Sequence, residues 1–147
     1  MNPASSAPAS SPTWQCVLVC WGTKYPVALI NHLIERIAAH SREVPRFVLI
    51  CDEPKDGLLP FVQTRIFPPL YMQQPFKSVG CQAKLAMFEE GVLPTDLPAV
   101  YIDLDTVVMG DMGHAISLMK DERTVMMLQS AIIPFGPLGR AIFKATD

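Results

Sequence analysis

The sequence WQCVLVCW at residues 14–21 is the stretch that decides the fold. It is built of β-branched, aromatic and other apolar residues, carries no charge, and stops at Gly22. A short apolar run that ends at a turn residue is typical of a buried strand, because a strand covered on both faces needs no polar alternation. The stretch therefore predicts a buried strand followed by a tight loop.

The next two segments extend this strand into a β-α-β unit. Apolar residues recur at helical spacing over residues 26–40, with Pro26 tolerated in the first turn and Pro45 closing the segment. The run RFVLIC at residues 46–51 predicts a second buried strand that ends in an acidic turn. Since the two strands are expected to be parallel, the polar loops after them should lie at the same edge of the sheet.

The rest of the chain continues the alternation of strands and helices. We expect a third strand within residues 61–67, a helix at 76–90, a strand at 99–108, a short helix at 112–119 and a strand at 124–128. In the 76–90 helix, Cys81, Leu85 and Phe88 form one apolar stripe, which is expected to face the core. This alternation predicts an α/β sandwich.

Composition sets further limits on the class of protein. The 147 residues are 50% hydrophobic, 18% charged and carry a net charge of -2, which is typical of one globular domain and gives no basic surface for nucleic acid. No apolar run reaches the roughly 20 residues of a membrane span. Residues 1–13, mostly Ala, Ser and Pro, are expected to form a disordered tail before a domain at 14–147. They lack the basic start and apolar stretch of a secretory signal, which favours a cytoplasmic location.

The four cysteines are expected to be buried free thiols. Cys16 and Cys20 lie in one strand, where four residues separate them by roughly 13 Å, too far for a disulfide. Cys51 and Cys81 stand alone, without the second close Cys or His that a zinc site needs. Among the three histidines, His114 is a weak metal candidate because it follows an acidic segment.

That acidic segment, VYIDLDTVV at residues 100–108, is the sharpest chemical feature. Residues i and i+2 of a strand share a face, so Asp103 and Asp105 should project together about 6.5 Å apart, with Tyr101 behind them. Two ionised carboxylates beside apolar residues are costly unless a positive group meets them, and such a pair suits Mg²⁺ or Mn²⁺ carrying phosphates. The alternative is a structural one, in which an Asp caps the next turn by accepting backbone N–H bonds.

With this motif the chain resembles the glycosyltransferases of the GT-A fold that use nucleotide sugars, and in particular bacterial enzymes akin to the family 8 galactosyltransferase and glycogenin-like group. CVLVCWGTKYP resembles their opening strand and nucleotide-contacting loop, and RFVLICDE their second strand. KLAMFEEGVLP followed by AVYIDLDTVVMGDM resembles their helix leading into the metal-binding DxD motif. The likeness covers roughly residues 15–119, and it implies a three-layer α/β/α fold.

The resemblance implies a role for each matching residue. Asp105 would ligate Mn²⁺ or Mg²⁺ at the donor diphosphate, and Asp103 would share the metal or hold the ribose. Lys84 would lie near the donor phosphates, unless it is an ordinary solvated lysine. The remaining donor-binding residues would be the loop Trp21, Gly22, Thr23, Lys24 and Tyr25, together with Asp52 and Leu104.

Several of these residues also have a structural interpretation. An aromatic ring such as Trp21 or Tyr25 can stack on a uracil base, but it can equally pack on the core. Asp52 could reach the nucleoside, but an Asp after a strand more often forms a turn with the backbone that follows it. The donor is expected to be UDP-linked, while the donor sugar, the acceptor and the stereochemistry stay open.

The sequence departs from the family at its end. The family 8 group takes another metal ligand from a late H-x-x-G-x-x-K-P-W motif, and this motif does not occur here. The segment AIIPFGPLGRAIFKATD does not resemble the family's acceptor-binding half. We therefore expect a truncated transferase that keeps its donor site.

Two alternatives remain at this point. YIDLDTVV also resembles the D-x-D-x-[TV] strand of haloacid-dehalogenase-like phosphatases, with Asp103 as nucleophile and Asp105 as acid/base. That motif usually opens its fold, whereas here about 100 residues come first. The second alternative is a fragment without catalysis that binds a nucleotide or a protein partner.

Overall fold

The chain forms a four-stranded parallel sheet in a computed structural model that describes residues 10–76, 82–123, 126–129 and 142–145. The sheet has the strand order β3-β2-β1-β4. Its strands are β1 (Gln15–Cys20), β2 (Arg46–Cys51), β3 (Gln63–Ile66) and β4 (Ala99–Tyr101). The observed α/β class with a parallel sheet is the class that the sequence predicts.

The β-α-β unit forms as predicted. Helix α1 (Val27–His40) connects β1 to β2, and the two strands pair in parallel from Gln15 opposite Arg46 to Cys20 opposite Cys51. The helix begins one residue after Pro26, whose carbonyl oxygen accepts the backbone N–H of Leu29 over 3.0 Å. Both strands are almost wholly buried, because α1 covers one face of the sheet and other segments cover the opposite face.

Two apolar clusters hold the sheet between its covering layers. On one face, alternate residues of β1 and β2 pack against α1 and against Ile102 and Leu104. On the other face, Val17, Val19 and Ile50 pack against Ala83 and Ala86. A sheet whose two faces are both covered explains why β1 and β2 read as continuous apolar runs.

The helix expected at residues 76–90 differs in form and in orientation. The structure has a 3-10 helix at Gln82–Phe88, while residues 77–81, including Cys81, lie outside the described part. Leu85 and Phe88 are 51% and 73% exposed, so the prediction that they face the core is wrong. A 3-10 helix repeats every three residues, which places the buried Ala83 and Ala86 on one face and Leu85 and Phe88 on another.

The strand expected at residues 99–108 is shorter than predicted. Only Ala99–Tyr101 pairs with β1 as a strand, and the backbone N–H of Ile102 adds one more bond, to the Val17 carbonyl oxygen over 3.1 Å. A 3-10 helix follows at Met112–Leu118. After it, β5 (Met126–Gln129) and β6 (Ile142–Ala145) form a separate antiparallel pair.

A polar network fixes the amino ends of the central strands. The Gln15 side chain is buried and donates to the carbonyl oxygens of Pro94 and Leu97 over 2.7 and 3.1 Å. Its own oxygen accepts a bond from the Arg46 guanidinium, which also grips both carboxylate oxygens of Asp96. We call Gln15, Arg46 and Asp96 the amino-end network; it lies at the edge of the sheet opposite to the loops that follow β1, β2 and β4.

Trp14 is buried in the core and donates from Nε1 to the Glu43 carbonyl oxygen over 2.8 Å. Residues 1–9 of the expected tail lie outside the described part of the chain. Within that part, no helix combines the length and the apolar character that crossing a bilayer requires.

Three thiols are buried, as the sequence predicts. Cys16, Cys20 and Cys51 are free and almost inaccessible to solvent. Burial raises the pKa of the Cys51 thiol to about 11, although the Lys55 ammonium partly opposes this shift. The prediction for Cys81 falls outside the described residues.

Candidate functional site

The candidate site lies at the carboxyl edge of the sheet. The parallel strands β1, β2 and β4 all end there, and their following loops carry residues 21–25, Asp52 and the DxD motif. In open α/β sheets this edge is the usual place for a ligand, because polar loops surround a crevice over buried strands.

The two acids of the motif lie just beyond β4 rather than within it. Ile102 and Leu104 are buried in the cluster under α1, while Asp103 and Asp105 are exposed, so the alternation predicted for a strand continues past its end. The backbone N–H of Thr106 donates to the Asp103 carbonyl oxygen over 3.1 Å and closes a turn. Asp103 therefore sits at the start of a tight turn, with its side chain on the face opposite to Leu104.

Asp103 is held by two donors. The Lys84 ammonium and the Tyr101 hydroxyl both donate to its Oδ1. Burial disfavours the charged carboxylate, but the hydrogen bonds from Lys84 and Tyr101 outweigh this, so the pKa of Asp103 is lowered. Burial would likewise lower the pKa of Lys84, yet its bonds to Asp103 and Tyr101 raise it. Both groups are thus stabilised in their charged forms.

A small cleft of about 150 Å³ opens above this pair. It is lined by residues from both core faces and from the loop after β1, namely Val19, Cys20, Trp21, Lys24, Tyr25, Lys84, Asp103 and Leu104. Pockets for whole drug-sized ligands measure about 300–1,000 Å³. The cleft therefore has room for one part of a nucleotide, and the rest of such a ligand would lie on the open surface.

The two aromatic residues of the loop flank the cleft and also pack on the core. Trp21 meets Phe67 edge to face, with ring centroids 6.3 Å apart. Tyr25 packs on the cluster under α1, and the Lys24 ammonium lies 5.0 Å from its ring centroid. Both sequence-based interpretations of these rings are compatible with this arrangement, since each ring is only partly buried.

The Asp52 carboxylate accepts hydrogen bonds from neighbouring groups of the chain and does not line the cleft. Its carboxylate accepts the backbone N–H of Gly22 over 2.8 Å, that of Glu53 over 3.1 Å and the Lys55 ammonium over 2.9 Å. Burial opposes the charge, but the bonds from Gly22 and Lys55 outweigh it and lower the pKa of Asp52. Gly22 has a φ of +67°, which a residue with a Cβ rarely adopts. This geometry agrees with the structural interpretation of Asp52.

The structure brings some of the predicted site residues together and leaves others apart. Trp21, Lys24, Tyr25, Lys84, Asp103 and Leu104 share the cleft. Within the described residues, Gly22, Thr23, Asp52 and Asp105 do not line it. Gly22 and Asp52 shape the loop instead, and Asp105 lies two residues beyond Asp103 on the exposed side.

A metal ion would find oxygen donors here but no complete protein cage. Among the residues that the structure describes, no group of three His, Cys, Asp or Glu side chains could hold a metal. His114 lies near Asp111 and Ser117 instead, and its Nδ1 is 3.3 Å from the Ser117 Oγ. Mg²⁺ is often held by one or two carboxylates together with substrate phosphates.

Lys55 is the residue that the sequence analysis missed. Its side chain is only 11% exposed, and it joins the Asp52 carboxylate to the Gly22 carbonyl oxygen, the latter at 3.4 Å. The signal is present in the sequence DEPK, because an acid and a lysine three residues apart can pair within one turn. Neither residue predicts by itself that the pair also holds a loop 30 residues earlier in the chain.

The chain has no match among protein-family models, curated proteins or solved structures. The function proposed below is therefore based on the geometry of the site and on the sequence resemblance.

Proposed function

We propose that this domain binds the diphosphate of a nucleotide sugar, of the UDP-linked kind that the sequence resemblance implies. In this proposal it is the donor-binding part of a metal-dependent glycosyltransferase of GT-A type. The observation that carries the proposal is the contact between Lys84 and Asp103 across the cleft. A basic residue from the helix before the DxD motif meets the first acid of that motif, beside the aromatic loop after β1.

 This arrangement supports diphosphate binding because it places two ammonium groups, one carboxylate and two aromatic rings around one opening at the end of the strands.

The reaction that fits such a site is the transfer of the sugar to an acceptor. Breaking the bond between sugar and phosphate leaves a nucleoside diphosphate, whose negative charge must be stabilised as it develops. A divalent cation at Asp103 and Asp105 would supply part of that stabilisation. Lys84 and Lys24 would supply the rest from the chain itself, since both line the cleft. Trp21 and Tyr25 would bound the space for a flat base.

The proposal is tested by calorimetric titration of UDP into the full chain, first with Mn²⁺ and then with EDTA. We expect binding with Mn²⁺ and its loss with EDTA. Asp105→Ala should abolish the metal-dependent binding while the circular dichroism spectrum stays that of the folded protein. Glu35→Gln, which removes a carboxylate from the exposed side of α1, is the matched control and should bind as the wild type does. Equal binding in Mn²⁺ and EDTA, or no binding by the folded chain, would refute the proposal.

Two enzymatic assays separate the alternatives. A phosphatase would release phosphate from p-nitrophenyl phosphate with Mg²⁺ and would lose this activity in Asp103→Asn, whereas the proposed donor site releases none. Release of UDP from a UDP-hexose in the presence of Mn²⁺ distinguishes a site that activates the donor from a domain that only binds it. Neither assay requires the acceptor to be known.

A further inference from the structure

Lys84 and Tyr101 share one acceptor in the cleft, the Oδ1 atom of Asp103. The pair is open to solvent from the side of the acid, because the Asp103 side chain is 51% exposed and that of Lys84 is 23% exposed. A cation from solution can therefore reach the carboxylate that Lys84 neutralises. The same ammonium could also donate a charge-assisted hydrogen bond to a bound phosphate.

A cation would compete with Lys84 for Asp103, and a phosphate would compete with Asp103 for Lys84. A divalent cation that approaches alone must displace the Lys84 ammonium from Asp103 or share the carboxylate with it. A diphosphate that approaches alone meets the negative charges of Asp103 and Asp105, while Lys84 is already paired. When both arrive together, the cation takes the carboxylate and the ammonium takes the phosphate, so that each charge keeps a partner.

We propose that Lys84 is an exchangeable counter-ion, which neutralises Asp103 before ligands bind and moves to the diphosphate when a divalent cation occupies the carboxylate. This inference rests on the proposed function and adds to it a coupling between the two ligands. Because coupling free energies are reciprocal, the cation raises the affinity for the diphosphate by the same factor as the diphosphate raises the affinity for the cation.

The local structure allows this exchange without a change of fold. Ala83 and Ala86, on either side of Lys84 in the 3-10 helix, are fully buried and anchor the backbone against the sheet. The lysine side chain keeps its four rotatable bonds, and its ammonium lies 5.3 Å from the centroid of the Tyr101 ring. Tyr101 can therefore keep its hydrogen bond to Asp103 while the Lys84 ammonium changes its partner from Asp103 to the diphosphate.

The exchange is tested with Mn²⁺ alone, measured by the loss of the free-ion signal in electron paramagnetic resonance on titration with the full chain. Lys84→Gln removes the competing ammonium and should bind Mn²⁺ about three- to tenfold more tightly than the wild type, the range expected for a partly exposed ion pair with a charged hydrogen bond. Lys84→Arg keeps the charge and should stay close to the wild type. Arg65→Gln, on the exposed strand β3, controls for the general loss of one positive charge and should leave the Mn²⁺ affinity unchanged.

A second titration measures the coupling itself. In the wild type, saturating UDP should tighten Mn²⁺ binding, and in Lys84→Gln this tightening should shrink severalfold, since the ammonium no longer changes partner. Unchanged affinity of Lys84→Gln for Mn²⁺, beside Mn²⁺-dependent UDP binding in the wild type, would overturn the exchange and leave the proposed function intact. A folded wild type that binds no UDP at any Mn²⁺ concentration would overturn the proposed function, and the diphosphate half of the exchange with it.

Discussion

The backbone N–H of Gly22 donates to Oδ2 of Asp52 over 2.8 Å, and this bond ties the loop after β1 to the end of β2. Lys55 completes the connection by contacting both the Asp52 carboxylate and the Gly22 carbonyl oxygen. The loop that carries Trp21 and Tyr25 is thus fixed by the protein before any ligand arrives. Such preorganisation favours ligand binding, because less order has to be imposed when a ligand binds.

Asp52→Ala should loosen this loop and destabilise the domain by about 1–2 kcal/mol, because the Gly22 N–H and the Lys55 ammonium lose a charged acceptor. Urea unfolding followed by circular dichroism measures the change. Glu53→Ala is the matched control, since Glu53 is exposed and lies 3.8 Å from Lys55, and it should change the stability little. Equal effects of the two variants would show that Asp52 does not hold the loop.

The stability should fall in acid as the two paired carboxylates take up protons. The pKa values of Asp52 and Asp103 are both lowered in the folded protein, so their contribution is present above the unfolded value of about 3.9 and is lost as the pH falls through the lower folded values. Urea unfolding from pH 6 to pH 3 should therefore show the wild type converging on Asp103→Asn at the acid end. A constant difference between the two proteins over this range would contradict the pairing of Asp103 with Lys84.

Gly113→Ala should destabilise the protein by about 1–3 kcal/mol, which is typical of overpacking. A Cβ at this position would lie 2.8 Å from the Trp14 indole, which is buried and bonded to Glu43. Gly110→Ala is the control, because a Cβ there meets nothing within 4 Å. Thermal unfolding followed by tryptophan fluorescence compares the two variants. If both variants melt alike, Gly113 does not pack closely against the Trp14 indole.

The three buried thiols should resist alkylation. Cys16, Cys20 and Cys51 react only as thiolates, and burial both hides them and raises their pKa values. Iodoacetamide at pH 7.5 should label each of them about a hundredfold more slowly in the native protein than in urea, as followed by peptide mass spectrometry. Rapid native labelling of Cys20, which lines the cleft, would contradict the near-complete burial of this residue.

The first half of the fold could be predicted from the sequence to within a residue or two. The apolar run that forms β1 carries no charge, the run that forms β2 is charged only at Arg46, and the helical spacing between Pro26 and Pro45 leaves one solution for α1. These signals are local and agree with one another, so tertiary packing did not change the elements that they predict. The same reasoning placed the two polar loops at one edge of the sheet, which the parallel register confirms.

The candidate site was predictable only in part. The alternation of Ile102, Asp103 and Leu104 gave the correct faces, but the strand length failed because strand pairing depends on a neighbouring strand that the sequence does not reveal. The prediction for the buried face of Gln82–Phe88 was wrong for a different reason. A 3-10 helix has 3.0 residues per turn and an α-helix has 3.6, so the buried stripe shifts by about 0.6 residue each turn. The family resemblance predicts that Lys84 lies near the donor phosphates or sugar, which stays a prediction, and its direct bond to Asp103 became visible only in the structure.

The amino-end network has a consequence for how this protein can change over evolutionary time. In the sheet, Gln15 lies opposite Arg46 on one side and Ala99 on the other, and the Arg46 guanidinium forms an ion pair with Asp96. The alignment of the strands is therefore set far from the cleft, at the other edge of the sheet. Substitutions in the loops around the cleft can accumulate without shifting the strands beneath them, so the scaffold is suited to acquiring new ligand preferences while its architecture is inherited unchanged.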